Sequence, residues 1–305
     1  MAQSLLASET DCQLYIFAFD ERCETALRAW NHPRVIVVSL SDFEHDDLLS
    51  VKASRTVSEY CWTCTSFVID HCLRTDGLDH CTYIDADLFF FASPRPLLEE
   101  MGSRSILITP HRYTPEYDQS RTSGIYCVQF VTFKADSDGL HALAWWKEAC
   151  LAWCFARVEN GRFGDQKYLD DWPERFKGVH VLEHIGGGVA PWNVQQYRIS
   201  SVGGKLHVHQ GEGCWPLIFY HFHNMTVLSS GCVHFGCYRL TDGQKVLVYR
   251  PYCDQLMLNR KSLASLHPDI PLHSDVRDGL IRRLFDRSLK KRLRPPDNLC
   301  EIRYD

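Results

Sequence analysis

Two aspartates one residue apart, Asp85 and Asp87, stand where a short apolar strand (Tyr83, Ile84) runs into an aromatic stretch, Leu88 to Phe91. Ionised carboxylates this close repel each other, and burying them without a positive partner costs several kcal/mol. A hard divalent cation, Mn2+ or Mg2+, suits such oxygens and keeps coordination sites open for the oxygens of a phosphate. The plain alternative is a solvated turn at a strand end. Further along, His111 and Arg112 leave another apolar run, ITP, as candidates to contact a phosphate or an acceptor. Loop residues with no ligand are the competing reading for that pair.

These side chains need elements to hold them, and the first half of the chain alternates strand and helix patterns. LYIFAFD (14–20) and RVIVVSL (34–40) read as strands around a helix, ERCETALRAW. Thr56 followed three residues later by Glu59 is a capping-box pattern, predicting a helix from there to about Arg74. After Asp76-Gly77 comes the strand that ends in the two aspartates. Such an order predicts a mostly parallel central sheet flanked by helices, with ligands beyond the strands' carboxyl ends. SILITP (105–110), GIYCVQFVTF (124–133), VHVL (179–182), KLHVH (205–209) and LIFYHFH (217–223) are further strands. A helix is expected from Ser137 to about Val158, with Leu140, Leu143, Trp146, Cys150 and Trp153 inward, and a short one at DQKYLDDW, halted by Pro173.

Composition excludes several classes. A net charge of −5 gives no reason to expect nucleic-acid binding. No stretch approaches the roughly 20 apolar residues that span a bilayer, and MAQSLLASETD lacks the basic start of an export signal. The expected location is cytoplasmic, and the 14 cysteines are then reduced thiols. Cys61, Cys64 and Cys72 fall with Val68 on one helical face, which favours core over a zinc site.

Several blocks in order, YIDADLFFF, ITPHRY, SGIYCVQFVTF, GRFGDQKYLDDWP, APWNVQQYRI and FYHFHN, cover about residues 12–230. Together they resemble the GT-A glycosyltransferases, especially family 8 and related bacterial enzymes of cell-surface polysaccharide synthesis. The resemblance implies a GT-A fold of the α/β class. It also implies a hexosyltransferase-like reaction, a sugar passing from a nucleotide-sugar donor (UDP- or GDP-linked) to the hydroxyl of a saccharide or lipid-linked saccharide, with retention. By the same resemblance a late histidine joins Asp85 and Asp87 on the metal; His221 is the first choice and His223 the reserve. Asp165 and Gln166 would lie under the donor sugar as catalytic residues, although Asp165 at a helix start could simply be a cap. Phe17, Phe19 and Asp20, ending the first strand, would meet the nucleoside. Gly186-Gly187-Gly188 would allow close backbone approach to a ligand.

The chain departs from that pattern in two places. Thr122-Ser123-Gly124 stands where the family has Asn, and the family's lysine after the late histidine is missing. Neutralising a pyrophosphate then falls to Arg121, Arg112 or Lys167. An inactive carbohydrate- or nucleotide-sugar-binding relative is the alternative. A phosphatase using the Asp-x-Asp pair is weaker, because Leu88 and two phenylalanines follow it.

The expected organisation is a catalytic domain over 1–235 and a C-terminal helical extension over 236–305. Within it, residues 275–294 set Val276, Leu280, Ile281, Leu284, Leu289 and Leu293 beside at least six Lys or Arg. That pattern suits a helix docking peripherally on the anionic inner face of a membrane.

Overall fold

The computed structural model describes residues 1–75, 77–228, 232–266 and the backbone of 299–300. The predicted stripe at 275–294 lies outside the described residues. The chain opens with α1 (Ala2–Ser8), β1 (Leu14–Ala18), α2 (Glu21–Trp30), β2 (Val35–Ser39), α3 (Leu40–Phe43), α4 (Asp46–Lys52) and α5 (Val57–Thr75). There follow β3 (His80–Ile84), β4 (Leu88–Phe90), α6 (Arg95–Met101), β5 (Ile106–Pro110), β6 (Tyr126–Lys134), α7 (Ser137–Ala152), α8 (Trp172–Arg175) and β7 (Val179–Val181). A strand-rich region, β8 (Arg198–Val202), β9 (Lys205–Gln210), β10 (Gly213–Pro216), β11 (Phe219–His221), β12 (Thr226–Val227) and β13 (Val233–His234), precedes α9 (Asp242–Gln244), α10 (Arg250–Leu266) and β14 (Leu299–Cys300).

The class is mixed α/β, but the expectation of a mostly parallel sheet is corrected. β1 and β2 pair in parallel by themselves, while the four-stranded sheet runs β3-β6-β5-β7 with β6 antiparallel to both neighbours and only β5–β7 parallel. The reason is the connection. A parallel neighbour needs a crossover, usually a helix, that carries the chain back along the sheet. Between β5 and β6 the chain forms only a 3-10 turn at Pro115–Tyr117 and comes straight back.

The sheet is buried on both faces, as the apolar run of β6 requires. Ile106, Ile108, Val131 and Phe133 face α5 and α7 with Trp146 and Trp172, whereas Leu107 and Phe130 face Leu97, Met101 and Phe219 on the other side. Thr56 and Glu59 form the expected reciprocal cap of α5 at 2.8 and 3.3 Å. Cys64 and Cys72 are buried in the faces of α5.

Helix α7 ends at Ala152 rather than Val158, because Trp153 turns extended. The segment after it is held elsewhere, with Ala156 N donating to Glu59 Oε1 at 2.7 Å. Pro173 does not stop the short helix. It sits in the first turn of α8, where its missing N–H is not needed. The expected strands at 205–209 and 217–223 are β9 and the shorter β11, but β8 and β10 on either side of β9 were not foreseen. Gly203-Gly204 between β8 and β9, both at positive φ, is a two-residue hairpin signal present in the sequence. Residues 240–257 pack into the same apolar cluster as Val189, Val208, Phe222 and Phe235.

Among the described residues no helix is long and apolar enough to cross a membrane.

Candidate metal centre

Strand β3 ends at Ile84, and the next three residues turn to start β4 at Leu88. Asp85 N donates to the carbonyl of Gln129 on the neighbouring β6 at 3.1 Å, which fixes where the first carboxylate leaves the sheet. Asp87 is fixed from the other side, its carbonyl accepting from Phe222 N at 2.9 Å. Strand β11 pairs antiparallel with β4 so that His221 lies opposite Leu88. That register delivers a histidine 134 positions away to the aspartates.

His221 Nε2 lies 3.0 Å from Asp87 Oδ1 and 4.0 Å from Asp85 Oδ2. One ligand atom from each of the three residues falls within a 4.8 Å cluster, a set able to hold a metal ion. His221 is buried, while the two carboxylates remain partly open at 29% and 44% side-chain exposure. An ion here would have protein on one side and room for a ligand on the other. His221 Nδ1 meets Gln129 Oε1 at 2.7 Å. His223 is not in the cluster; its ring packs against Trp192, His221 and Tyr238.

The electrostatics follow from crowding. Burial, more than it is offset by His221, pushes the Asp85 carboxyl up to about 6, with Asp87's charge adding to the rise. For Asp87 burial also opposes charge, yet His221 beside it holds it below the ordinary carboxylate value. His221 itself is raised well above an ordinary imidazole, since Asp87 outweighs its burial.

Asp165 joins this group from the segment after α7. Its carboxyl is buried and pushed up to about 7 by that burial; the Thr65 hydroxyl acts against the rise and Asp85's charge adds to it. It makes no side-chain cap on the following 3-10 turn, Gln166–Asp171. Trp146 Nε1 anchors its backbone carbonyl at 3.0 Å. Gln166 is half-buried, and its Nε2 donates to Ser123 O at 2.8 Å, tying this segment to the loop before β6. Tyr83 lies between, interacting with both Asp85 and Asp165.

The other sequence candidates are distributed differently. Asp20 caps α2, accepting from Cys23 N at 2.8 Å. Phe17 packs edge-on against Phe43 and His71, and Phe19 against Tyr60. His111 is buried, and its burial pushes it down to about 3, so it is a neutral ring stacked on Tyr113 at 4.5 Å. Arg112 adopts φ 48° and donates to the carbonyls of Gly187 at 2.7 Å and Leu182 at 2.5 Å. Lys167 is paired with Asp170 at 2.6 Å and donates to Ser120 O. Arg121 is exposed. At Gly186 the close approach is to the chain itself: a Cβ there would lie 1.8 Å from Pro216 O.

Gln129, Thr65 and Trp192 were missed by sequence reasoning. Only Gln129 carried a signal, as an amide alone among the buried apolar residues of YCVQFVTF.

No family model matches the chain. Over 290 residues, 90% of this chain and 90% of its relative, it is 31% identical to the uncharacterized protein YfnD of Bacillus subtilis (strain 168). Over 235 residues, 74% of this chain and 77% of the relative, it is 33% identical to the uncharacterized protein YfnF of the same organism. Among solved structures it is similar to mouse xyloside xylosyltransferase 1 in its apo form, at a TM-score of 0.38 and 15% identity over 59% of this chain and 78% of that one. That likeness is too slight to assign the fold.

Proposed function

We propose that this chain, which belongs to the family of the Bacillus subtilis proteins YfnD and YfnF, is a metal-dependent glycosyltransferase. The observation that carries the reading is the convergence of Asp85, Asp87 and His221 on one point, from two distant stretches of sequence that the glycosyltransferase resemblance had paired. The donor set fits a divalent cation: two carboxylate oxygens and an imidazole nitrogen suit Mn2+, and the oxygens also suit Mg2+. When bound, such an ion would supply Lewis-acid stabilisation of the diphosphate leaving group.

The remaining steps belong to side chains of the chain. Asp165 and Gln166 would face the donor sugar, Asp165 holding its hydroxyls and Gln166 stabilising the oxocarbenium-like state. Phe17 and Phe19, at the end of β1, would contact the nucleoside of a UDP- or GDP-sugar, with Asp20 holding α2 in place. Arg112 fixes the segment 182–187 behind the site, and His111 contributes a neutral surface. Of the three cations considered in place of the family's lysine, Lys167 and Arg112 are committed to internal carbonyls and Asp170, which leaves Arg121 for the diphosphate. The acceptor would be a saccharide or lipid-linked saccharide at the inner face of the membrane.

Thermal unfolding with UDP and GDP, each with and without Mn2+, tests the binding half: stabilisation should appear only with metal and nucleotide together. Turnover of nucleotide-sugars tests the rest. Replacing Gln166 with Ala should lower turnover by about 10²–10³-fold while diphosphate affinity stays within a few-fold. Metal-dependent nucleotide binding with no transfer or hydrolysis of any donor would instead identify a sugar-nucleotide-binding relative.

A further inference from the structure

We propose that Gln129 is a positioning residue that decides which nitrogen of His221 faces the aspartates, an inference that rests on the metal-site reading above. Gln129 is fully buried in β6 and touches both halves of the triad. Its backbone carbonyl accepts from Asp85 N at 3.1 Å, and its side-chain Oε1 lies 2.7 Å from His221 Nδ1.

An imidazole 3.0 Å from a carboxylate has two ways to be stable. It carries a proton on Nε2, or its Nε2 lone pair and the carboxylate share a cation. In both states Nδ1 keeps its hydrogen, and Gln129 Oε1 accepts it. The Nδ1 contact is therefore common to the two states, and only Nε2 changes partner. The opposite amide orientation would turn an N–H toward Nδ1 and force the hydrogen to Nε2, closing that nitrogen to a metal.

Packing confines the side chain to this position, where either amide atom would fill the same space. A Cβ on Gly188 would come within 3.3 Å of Gln129 Nε2 and 2.7 Å of Thr109 Cγ2, so there is little room beside it. Nε2 itself is buried without a hydrogen-bond partner among the described residues. A buried amide kept with half its capacity unmet is costly, which argues that the other half is needed.

The test combines Mn2+ affinity by electron paramagnetic resonance with ¹⁵N NMR of the histidines in full-length protein. Gln129→Met keeps the length and removes the acceptor; Gln129→Glu keeps an acceptor. Gln129→Met should weaken Mn2+ about 10–100-fold with unchanged cooperative unfolding, and Gln129→Glu should stay within a few-fold of wild type. In the Mg2+-loaded wild type, His221 should show a protonated Nδ1 and an unprotonated Nε2, a readout that stands even if a variant fails to fold. Wild-type affinity in Gln129→Met, equal loss in both variants, or an Nε2–H signature overturns the inference alone. Wild-type protein that binds no Mn2+, or a His221→Ala variant that binds it as wild type does, overturns the metal-site reading and this inference with it.

Discussion

Two regions a few residues apart in space use polar groups in opposite ways. At residues 186–193 polar groups close on the chain itself. Asn193, fully buried, donates from Nδ2 to His111 O at 2.8 Å and Gly188 O at 2.9 Å, and accepts from Ala190 N at 2.9 Å. Arg112 takes two carbonyls, and Gly186 O accepts from Ile218 N and Phe219 N. At Asp85, Asp87, His221 and Asp165 the reverse holds: two acids crowd one imidazole, a third, Asp165, feels the charge of Asp85, and Asp85 and Asp165 are pushed up in pKa. Satisfied polar groups rigidify a fold. Surplus charge of one sign, held in place at a cost to stability, is what a ligand-binding site looks like.

Three substitutions would break or sharpen that contrast. Gly186→Ala carries the largest effect. A Cβ 1.8 Å from a backbone oxygen cannot be relieved by a rotamer change, so the cost should exceed about 4 kcal/mol. The protein should be insoluble or lack a cooperative melt; a normal melting curve would show that the hub yields more easily than its geometry implies.

Asp87→Ala comes next. Loss of one carboxylate ligand should reduce Mn2+ affinity, and with it metal-dependent nucleotide binding, by about 100-fold or more, while chemical unfolding stays close to wild type. Calorimetric titration reads the first and urea denaturation the second. A large loss of stability with metal binding intact would move Asp87 into the structural class.

The smallest effect concerns pH. Asp165 is an acid whose folded value is raised to about 7, so the folded state prefers its proton. Its contribution to stability is full below the unfolded value near 4, and declines as pH rises from there through about 7. Asp165→Asn removes that decline and should be more stable than wild type at pH 8 by roughly 1–2 kcal/mol, with little difference at pH 4. Turnover should fall at the same time. Melting temperatures across that range check the sign; a variant less stable than wild type at pH 8 would place Asp165 among the satisfied groups.

Local signals along the chain carry part of this structure. The helix Glu21–Trp30, the capping box at Thr56 and Glu59, and the strand end at Pro110 all follow from short-range pattern, because caps and period-2 burial depend on neighbours in the chain; the strand read as 14–20 ends earlier, at Ala18. The pair Asp85 and Asp87 was legible for the same reason: two like charges at a strand end demand explanation wherever the strand lies.

What neighbours in sequence cannot specify is who pairs with whom. The antiparallel placement of β6 depends on how residues 111–125 return, and the pairing of β11 with β4 sets His221 rather than His223 beside Asp87. The same applies to single side chains. Asp20 and Asp165 both precede helical turns, yet one caps its helix and the other turns inward to the acidic cluster, because only in three dimensions do Thr65 and Asp85 lie beside it. Composition and spacing determined that this chain folds around apolar strands and carries a pair of like-charged carboxylates at a strand end. Tertiary structure alone decided which imidazole reaches them, since that depends on strand register across more than a hundred residues, where a shift of one position would turn His221 to the opposite face.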